Sequence, residues 1–120
     1  MSKFNIQNKA EEFMSYALHV LDESPKKLRG DIVPEMRKLA IDVLLDVVYA
    51  NFHFDDKDVR LGYQIDARKK MRGLNALAEA CMVQNYITKH QYEVITGHTF
   101  ELDGMIGNWI ESDAKRASKV

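Results

Sequence analysis

The stretch LAIDVLLDVVYA, from Leu39 to Ala50, decides the fold. Its only polar residues, Asp42 and Asp46, lie four positions apart. A helix through this stretch is apolar around most of its circumference and must be covered on nearly every side. A membrane span is excluded, because the run is short and carries two carboxylates. The pattern predicts a core helix whose two aspartates share one solvated strip, and whose wide apolar surface leaves room for a neighbouring subunit.

The composition predicts one globular domain over residues 1–120, with 46% hydrophobic and 29% charged residues. A formal net charge of -1 gives no overall attraction to nucleic acid or membranes, so a nucleic-acid role needs local patches. The single cysteine excludes an internal disulfide and fits a reducing compartment. Because the N-terminal segment lacks the apolar run of a signal peptide, we expect a cytoplasmic protein without membrane partners.

Apolar residues recur at helical spacing in four segments. Thr88 and Gln91 form a capping-box pattern before the last of them. Short connections between four amphipathic helices predict an all-α, antiparallel up-down-up-down four-helix bundle. The helices are expected from about 4 to 22, from a cap at Asp31 to about 54, from the acidic turn at 55–58 to about 85, and from 89 to about 115.

The third and fourth helices each carry a core stripe and a second, unusual face. The stripes comprise Tyr63, Ala67, Met71, Leu74, Ala78 and Cys81 on the third helix and Tyr92, Ile95, Thr99, Leu102, Ile106 and Trp109 on the fourth. Away from these stripes lie apolar residues and glycines that a monomer would leave wet. The sequence therefore predicts an oligomer whose interface includes Leu61, Ile65, Gly97, Phe100 and Gly104.

No pattern in the chain is typical of catalysis. The pairs His90/Glu93 and His98/Glu101 reverse the Glu-x-x-His order of di-iron bundles and lie on one helix, so we interpret them as solvated side chains. Cys81 falls in a core stripe, where a small buried residue is expected. Phosphate-binding loops, dinucleotide fingerprints and nucleophile elbows are absent from the sequence. We expect neither an enzyme nor a bound metal or cofactor.

Local charge is more informative than total charge. Residues 24–38 have a balance of +3 and residues 59–73 a balance of +4, so the rest of the chain carries about -8. Clustered cations suit phosphate binding, although such runs are more often solvated faces, and arginines there also suit acidic residues of a neighbouring subunit. The candidate nucleic-acid contacts are Lys26, Lys27, Arg29, Arg37, Arg68, Lys69 and Arg72.

The C-terminal motif ELDGMIGNWIES resembles the closing motif of Avd, the accessory protein of diversity-generating retroelements. Bundle proteins encoded in bacterial ribosomal-RNA intervening sequences look similar. The segment ITKHQYEVI and the basic connection from Pro25 to Arg29 strengthen the resemblance, which spans residues 25–112. It implies a four-helix bundle in a ring-like homopentamer that binds the element's reverse transcriptase and RNA or DNA. By position, its contacts would include Arg29, Arg37, Arg68, Lys69 and Arg72.

Two departures weaken the nucleic-acid part of this resemblance. The chain is nearly neutral, whereas Avd proteins are typically basic, and Asn108 stands where a second glycine often precedes the tryptophan. The expected function is a non-enzymatic accessory protein of a diversity-generating retroelement. The alternative is a structural or protein-interaction bundle without nucleic-acid binding.

Overall fold

A computed structural model describes residues 2–23 and 32–118 of the chain. This part of the protein is helical, with turns between the helices and no strand. The helices are α1 (Ser2–Asp22), α2 (Ile32–Phe52), α3 (Lys57–Val83) and α4 (Lys89–Ser118). The four predicted helices are therefore confirmed, with ends that differ from expectation by no more than three residues. None of the described helices is long and apolar enough to cross a bilayer.

The helix ends follow from short-range chemistry. Asp56 caps α3, where its carboxylate accepts the backbone N–H of Val59 at 3.2 Å. The predicted capping box is present at α4: the Thr88 N–H donates to the Gln91 side chain at 2.9 Å, and the Gln91 N–H donates to the Thr88 hydroxyl at 3.0 Å.

A left-handed residue ends α3. Asn85 has a φ of 64°, a conformation that asparagine tolerates better than most residues. The N–H of Tyr86 reaches the carbonyl of Cys81 at 2.8 Å, and the N–H of Asn85 reaches that of Met82 at 2.9 Å. This is the Schellman arrangement, which satisfies the last carbonyls of the helix.

The helices pack as a bundle in which α1 contacts α2 and α4, and α3 contacts α2 and α4. Between α3 and α4 the paired side chains follow opposite orders along the two helices. As the number rises on α3 it falls on α4, in the pairs Arg60 with Asp113, Arg68 with Asp103, and Asn75 with Thr99.

The predicted core stripes are confirmed. All of their members are buried except Tyr63 and Tyr92, which are partly buried. Each large apolar side chain removed from water contributes about 1.5–3 kcal/mol. Residues of α1 and α2 complete this core, namely Ile6, Ala10, Phe13, Ala17, Val20, Leu21, Val33, Met36, Ala40, Val43, Val47 and Ala50.

One expectation about α2 is wrong. Asp46 does not lie on a solvated strip but is 5% exposed, and it accepts a hydrogen bond from the Lys70 ammonium of α3 at 2.7 Å. Burial raises the pKa of Asp46, and the hydrogen bond from Lys70 offsets only part of that effect. Asp42 is half-buried and accepts from Lys38 at 2.6 Å. Because α2 packs between α1 and α3, Asp46 is buried, and Lys70 of α3 supplies the cation that pairs with it.

Candidate interaction surfaces

The exposed and half-buried residues along the line where α3 meets α4 form one surface, which we call the α3–α4 surface. It comprises Leu61, Ile65, Arg68 and Arg72 of α3 and Gly97, Phe100, Gly104, Gly107 and Ile110 of α4. Two clefts lie between the two helices on this surface. One, of about 460 Å³, is lined by Leu61, Ile110 and Ala114, and the other, of about 180 Å³, by Arg72, Asn75, Thr96 and Phe100. The predicted interface residues of both helices therefore share one side of the bundle.

The apolar side chains of this surface are open to solvent within a single chain. Leu61 is 37% exposed, Ile65 is 39% exposed and Phe100 is 73% exposed. A methyl group added at Gly97 or at Gly104 would meet nothing within 4 Å. Close packing inside the chain therefore does not require these two glycines, and their small size leaves open space beside Phe100.

Arg68 lies at the centre of the α3–α4 surface and is bound to its own chain. Its Nε donates to Asp103 Oδ1 at 2.7 Å and its Nη2 to Asp103 Oδ2 at 3.1 Å, a bidentate pair between two half-buried side chains. The hydrogen bond to Asp103 raises the pKa of Arg68. Asp103 is therefore the anionic partner of Arg68. From the sequence, we expected that partner to be a phosphate or an acidic residue of a neighbouring subunit.

The other candidate cations are divided between two sides of the bundle. Lys69 and Arg72 are exposed next to Arg68, and no carboxylate of the described residues pairs with them. Arg37 lies on α2 and donates to Asp22 at the end of α1. The predicted contacts Lys26, Lys27 and Arg29 lie outside the described residues. Among the predicted contacts within residues 2–23 and 32–118, the structure brings together Arg68, Lys69 and Arg72 and leaves Arg37 apart.

A buried arginine went unrecognised in the sequence. Arg60 is 6% exposed, donates to Asp113 at 2.7 and 3.2 Å, and lies 4.7 Å from the ring centre of Trp109. The Gln64 amide donates to the same aspartate at 3.1 Å. The signal was available, because Arg60 precedes Ala67 by seven residues and so continues the core stripe of α3.

Ion pairing within the chain changes the charge of the 59–73 segment. Three of its cations pair with aspartates outside the segment, in the pairs Arg60–Asp113, Arg68–Asp103 and Lys70–Asp46. Those three aspartates reduce the local balance from +4 to +1. The basic patch that the linear sequence indicated is mostly neutralised by the fold.

A second exposed apolar region lies on α2. Ile41, Leu45, Tyr49 and Phe52 are 37%, 37%, 43% and 80% exposed, and with the half-buried Val48 they occupy the side of α2 opposite its buried stripe. We call these five residues the α2 outer face. The sequence predicted that the wide apolar surface of α2 could be covered by a neighbouring subunit, but no residue of α2 was among the predicted interface residues.

Metal-ligating side chains do not gather into one site in the part of the chain that the structure describes. No three His, Cys, Asp or Glu residues there are placed to hold a metal ion. Cys81 is buried, and burial raises the pKa of its thiol, which disfavours the nucleophilic thiolate. Glu101 binds Lys9 of α1 at 2.7 Å, and the ring of His98 lies 5.5 Å from that of Tyr16.

The fold and these surfaces define a helical-bundle protein whose distinguishing features are exposed apolar faces. Its structure is similar to the crystal structure of a protein of unknown function from the S23 ribosomal protein family of Bacteroides thetaiotaomicron VPI-5482. The TM-score is 0.80 at 16% sequence identity, over 92% of this chain and 99% of that chain. The sequence matches no protein-family profile and no curated protein. The likeness is one of fold.

Proposed function

We propose that this protein is a non-enzymatic, self-assembling accessory protein that binds a larger nucleic-acid machine, with the reverse transcriptase of a diversity-generating retroelement as the first candidate partner. The observation that carries the proposal is the exposure of three apolar side chains on the α3–α4 surface, with Leu61 and Ile65 on one side of the Arg68–Asp103 pair and Phe100 on the other. We call these three residues the apolar strip. Large apolar patches on soluble proteins are typical of interaction sites. The rival is a purely structural bundle that assembles and binds no nucleic acid.

We infer that the bundle is antiparallel, with up-down-up-down topology, and that it assembles through the α3–α4 surface. The opposite order of the paired residues on α3 and α4 supports this inference, as does the pairing of Lys9 with Glu101 and of Tyr16 with His98 between α1 and α4. The open space at Gly97 and Gly104 suits the close approach of a second backbone. The resemblance to Avd favours five subunits.

Light scattering with sedimentation equilibrium tests the assembly. The parent protein should form a stable oligomer at micromolar concentration, and Phe100→Arg should shrink it, because it places a charge in the apolar strip. Lys89→Ala, at the exposed start of α4, is the matched control on the same helix and should assemble normally. A parent protein that stays monomeric at these concentrations removes the proposal.

Nucleic-acid binding is a second candidate function, favoured by the exposed Arg72, which lines one cleft with the exposed ring of Phe100, and by the exposed Lys69 three residues before Arg72. Cations next to an aromatic platform suit the backbone and bases of a single strand. Arg68 contributes less than its sequence position indicated, because Asp103 neutralises it. Any binding should be weak and without base specificity, since few charges remain.

The nucleic-acid test titrates labelled single-stranded RNA and a ribosomal-RNA fragment at several salt concentrations. The ribosomal fragment is included because the structurally similar protein carries a ribosomal family name. Lys69→Ala with Arg72→Ala should abolish binding and leave assembly intact, whereas Arg68→Ala should change binding little. Salt-insensitive or absent binding by the parent, together with intact assembly, selects the structural bundle. Binding of purified reverse transcriptase by the same variants separates a protein partner from RNA.

A further inference from the structure

The α2 outer face has the spacing of a helix-packing seam. Ile41, Leu45, Val48 and Phe52 follow one another at intervals of four, three and four residues, which is the a/d repeat of coiled coils. The seam spans about 17 Å along the helix, at 1.5 Å per residue. None of the described residues of α1, α3 or α4 covers Phe52, which is 80% exposed.

Neighbouring aromatic rings contact Tyr49 and Phe52, the two residues nearest the C-terminal end of this face. The Tyr49 ring lies 5.5 Å from the ring of Tyr63 on α3, and His53 stacks on that same ring at 5.7 Å. The Phe52 ring meets His53 edge-on at 5.3 Å. Side chains ordered before binding lose less conformational entropy when a partner arrives, which favours a defined contact over non-specific adhesion.

A cation lies near the start of the α2 outer face and carboxylates lie after its end, while Glu35 is also exposed in the first turn of α2. Near the start, the Lys38 side chain is 70% exposed, and although it binds Asp42 its ammonium retains further donors. After the end of the helix, Asp55 and Asp58 are exposed beside the Asp56 cap. A partner that matches this face must therefore present an acidic end to Lys38 and a basic end to the acidic turn.

We infer that the partner of the α2 outer face is a second copy of the same face, packed antiparallel across a two-fold axis. The sequence is self-complementary about the point between Asp46 and Val47. Leu45 then faces Val48 of the other copy, Ile41 faces its Phe52, and Lys38 faces its Asp55. Apolar residues meet apolar residues, and Lys38 of each copy meets the Asp55 carboxylate of the other, whereas the same axis brings Glu35 level with Asp58 and adds no attraction there. Antiparallel helix dipoles add a favourable term.

This interface is separate from the proposed assembly through the α3–α4 surface, because α2 contacts α1 and α3 and the two surfaces share no residue. A two-fold contact closes on itself and yields a dimer, whereas a head-to-tail contact continues to a ring or filament. If both contacts form, the α3–α4 surface builds one oligomer, and the α2 outer face joins two such oligomers into a larger complex.

The first test compares Phe52→Arg, Phe100→Arg and the double variant by sedimentation equilibrium. Phe52→Arg should weaken the two-fold contact at least about 30-fold, the scale of an interface hot spot. Phe100→Arg should leave a dimer, and the double variant should be monomeric. Loss of the same complex by either single variant indicates a head-to-tail contact and overturns the two-fold interface. A Phe100→Arg protein that is already monomeric overturns it as well.

Charge reversal supplies a second test that does not depend on the apolar seam. Lys38→Asp and Asp55→Lys should each weaken the dimer, and the variant with both changes should recover it, because every copy then presents the reversed pair. Circular dichroism confirms that each variant is folded. Two single effects that simply add in the double variant contradict the pairing of Lys38 with Asp55 across the axis. A reverse transcriptase that binds the α2 outer face of the parent in place of a second copy also contradicts it.

Discussion

The outward faces of α1 and α2 differ although the helices are equal in length and neighbours in the bundle. Both span 21 residues and both bury a stripe that includes alanines. Outside, α1 exposes polar and charged side chains, whereas α2 exposes large apolar ones. The exposed residues that show this difference include Asn8, Glu11, Glu12, Ser15 and His19 on α1, and Ile41, Leu45, Tyr49 and Phe52 on α2.

This difference distinguishes residues that stabilise the folded chain from residues that are available for association with a partner. The inward stripes of α1 and α2 form the buried core of a single chain, whereas the most exposed residue of the α2 exterior, Phe52, adds little to that core. Substitutions on inward faces should lower the free energy of unfolding, whereas substitutions on outward faces should change association and leave folding almost unaltered.

The largest effect is expected from the core. Trp109→Ala should lower the free energy of unfolding by about 3–5 kcal/mol, because it empties a large buried site and removes the ring beneath the Arg60 guanidinium. Urea denaturation followed by circular dichroism measures the change. A variant that melts like the parent would show that the inward face of α4 is wrongly assigned.

A similar loss is expected when a buried charge is left alone. Asp113→Ala should cost about 3–5 kcal/mol, because the Arg60 side chain is 7% exposed and would lose its carboxylate. The same urea experiment applies. Recovery of stability on adding Arg60→Leu to Asp113→Ala would confirm that the stranded cation is the cause.

A smaller effect is expected at Asp46, whose charge keeps a partner. Its pKa is raised in the folded state, so the folded protein holds the proton more tightly than the unfolded chain. Protonation of Asp46 therefore stabilises the folded state. This stabilisation is fully present below the pKa of Asp46 in the unfolded chain and is lost as pH rises through its pKa in the folded protein. The stability of Asp46→Asn relative to the parent should therefore increase as pH rises from the unfolded to the folded pKa. A difference that stays flat or falls with pH contradicts the raised pKa.

The half-exposed ion pair should matter less. Asp103→Ala should cost about 0.2–1 kcal/mol, because the Arg68 and Asp103 side chains are 30% and 35% exposed and solvent screens their charges. The variant also frees Arg68, so RNA binding, if present, should strengthen. A double-mutant cycle with Arg68→Ala measures the pair, and a coupling as large as that of the buried Arg60–Asp113 pair would be incompatible with this exposure.

The smallest stability change is expected on the α2 outer face. Phe52→Ser should alter the unfolding free energy of the dilute monomer by no more than about 0.5 kcal/mol, as for other exposed positions. Glu11→Ser on the outside of α1 is the comparison and should change neither stability nor association. A loss of several kcal/mol at Phe52 under dilute conditions would place that ring in the fold and not in an interface.

Periodicity and local chemistry made the fold readable from the sequence. The 3.6-residue repeat identified four helices and the inward stripes of α3 and α4, because burying one apolar face is the dominant requirement on an amphipathic helix. The capping pattern of Thr88 and Gln91 located the start of α4, because its hydrogen bonds join residues only three apart. Two outward faces, on α2 and along α3 and α4, were also visible as apolar excess.

Charge partners were decided only by the tertiary structure. Arg60, Arg68 and Lys70 form a basic run in the sequence, and each meets an aspartate 53, 35 or 24 residues away. Asp46 looked solvated for the same reason, since its cation comes from another helix. A side chain's charge is fixed by its own chemistry, whereas its exposure and its counter-ion depend on which helices are packed beside it. The sequence alone thus determined which faces are apolar, and the packing of four helices determined which charges remain available to a partner.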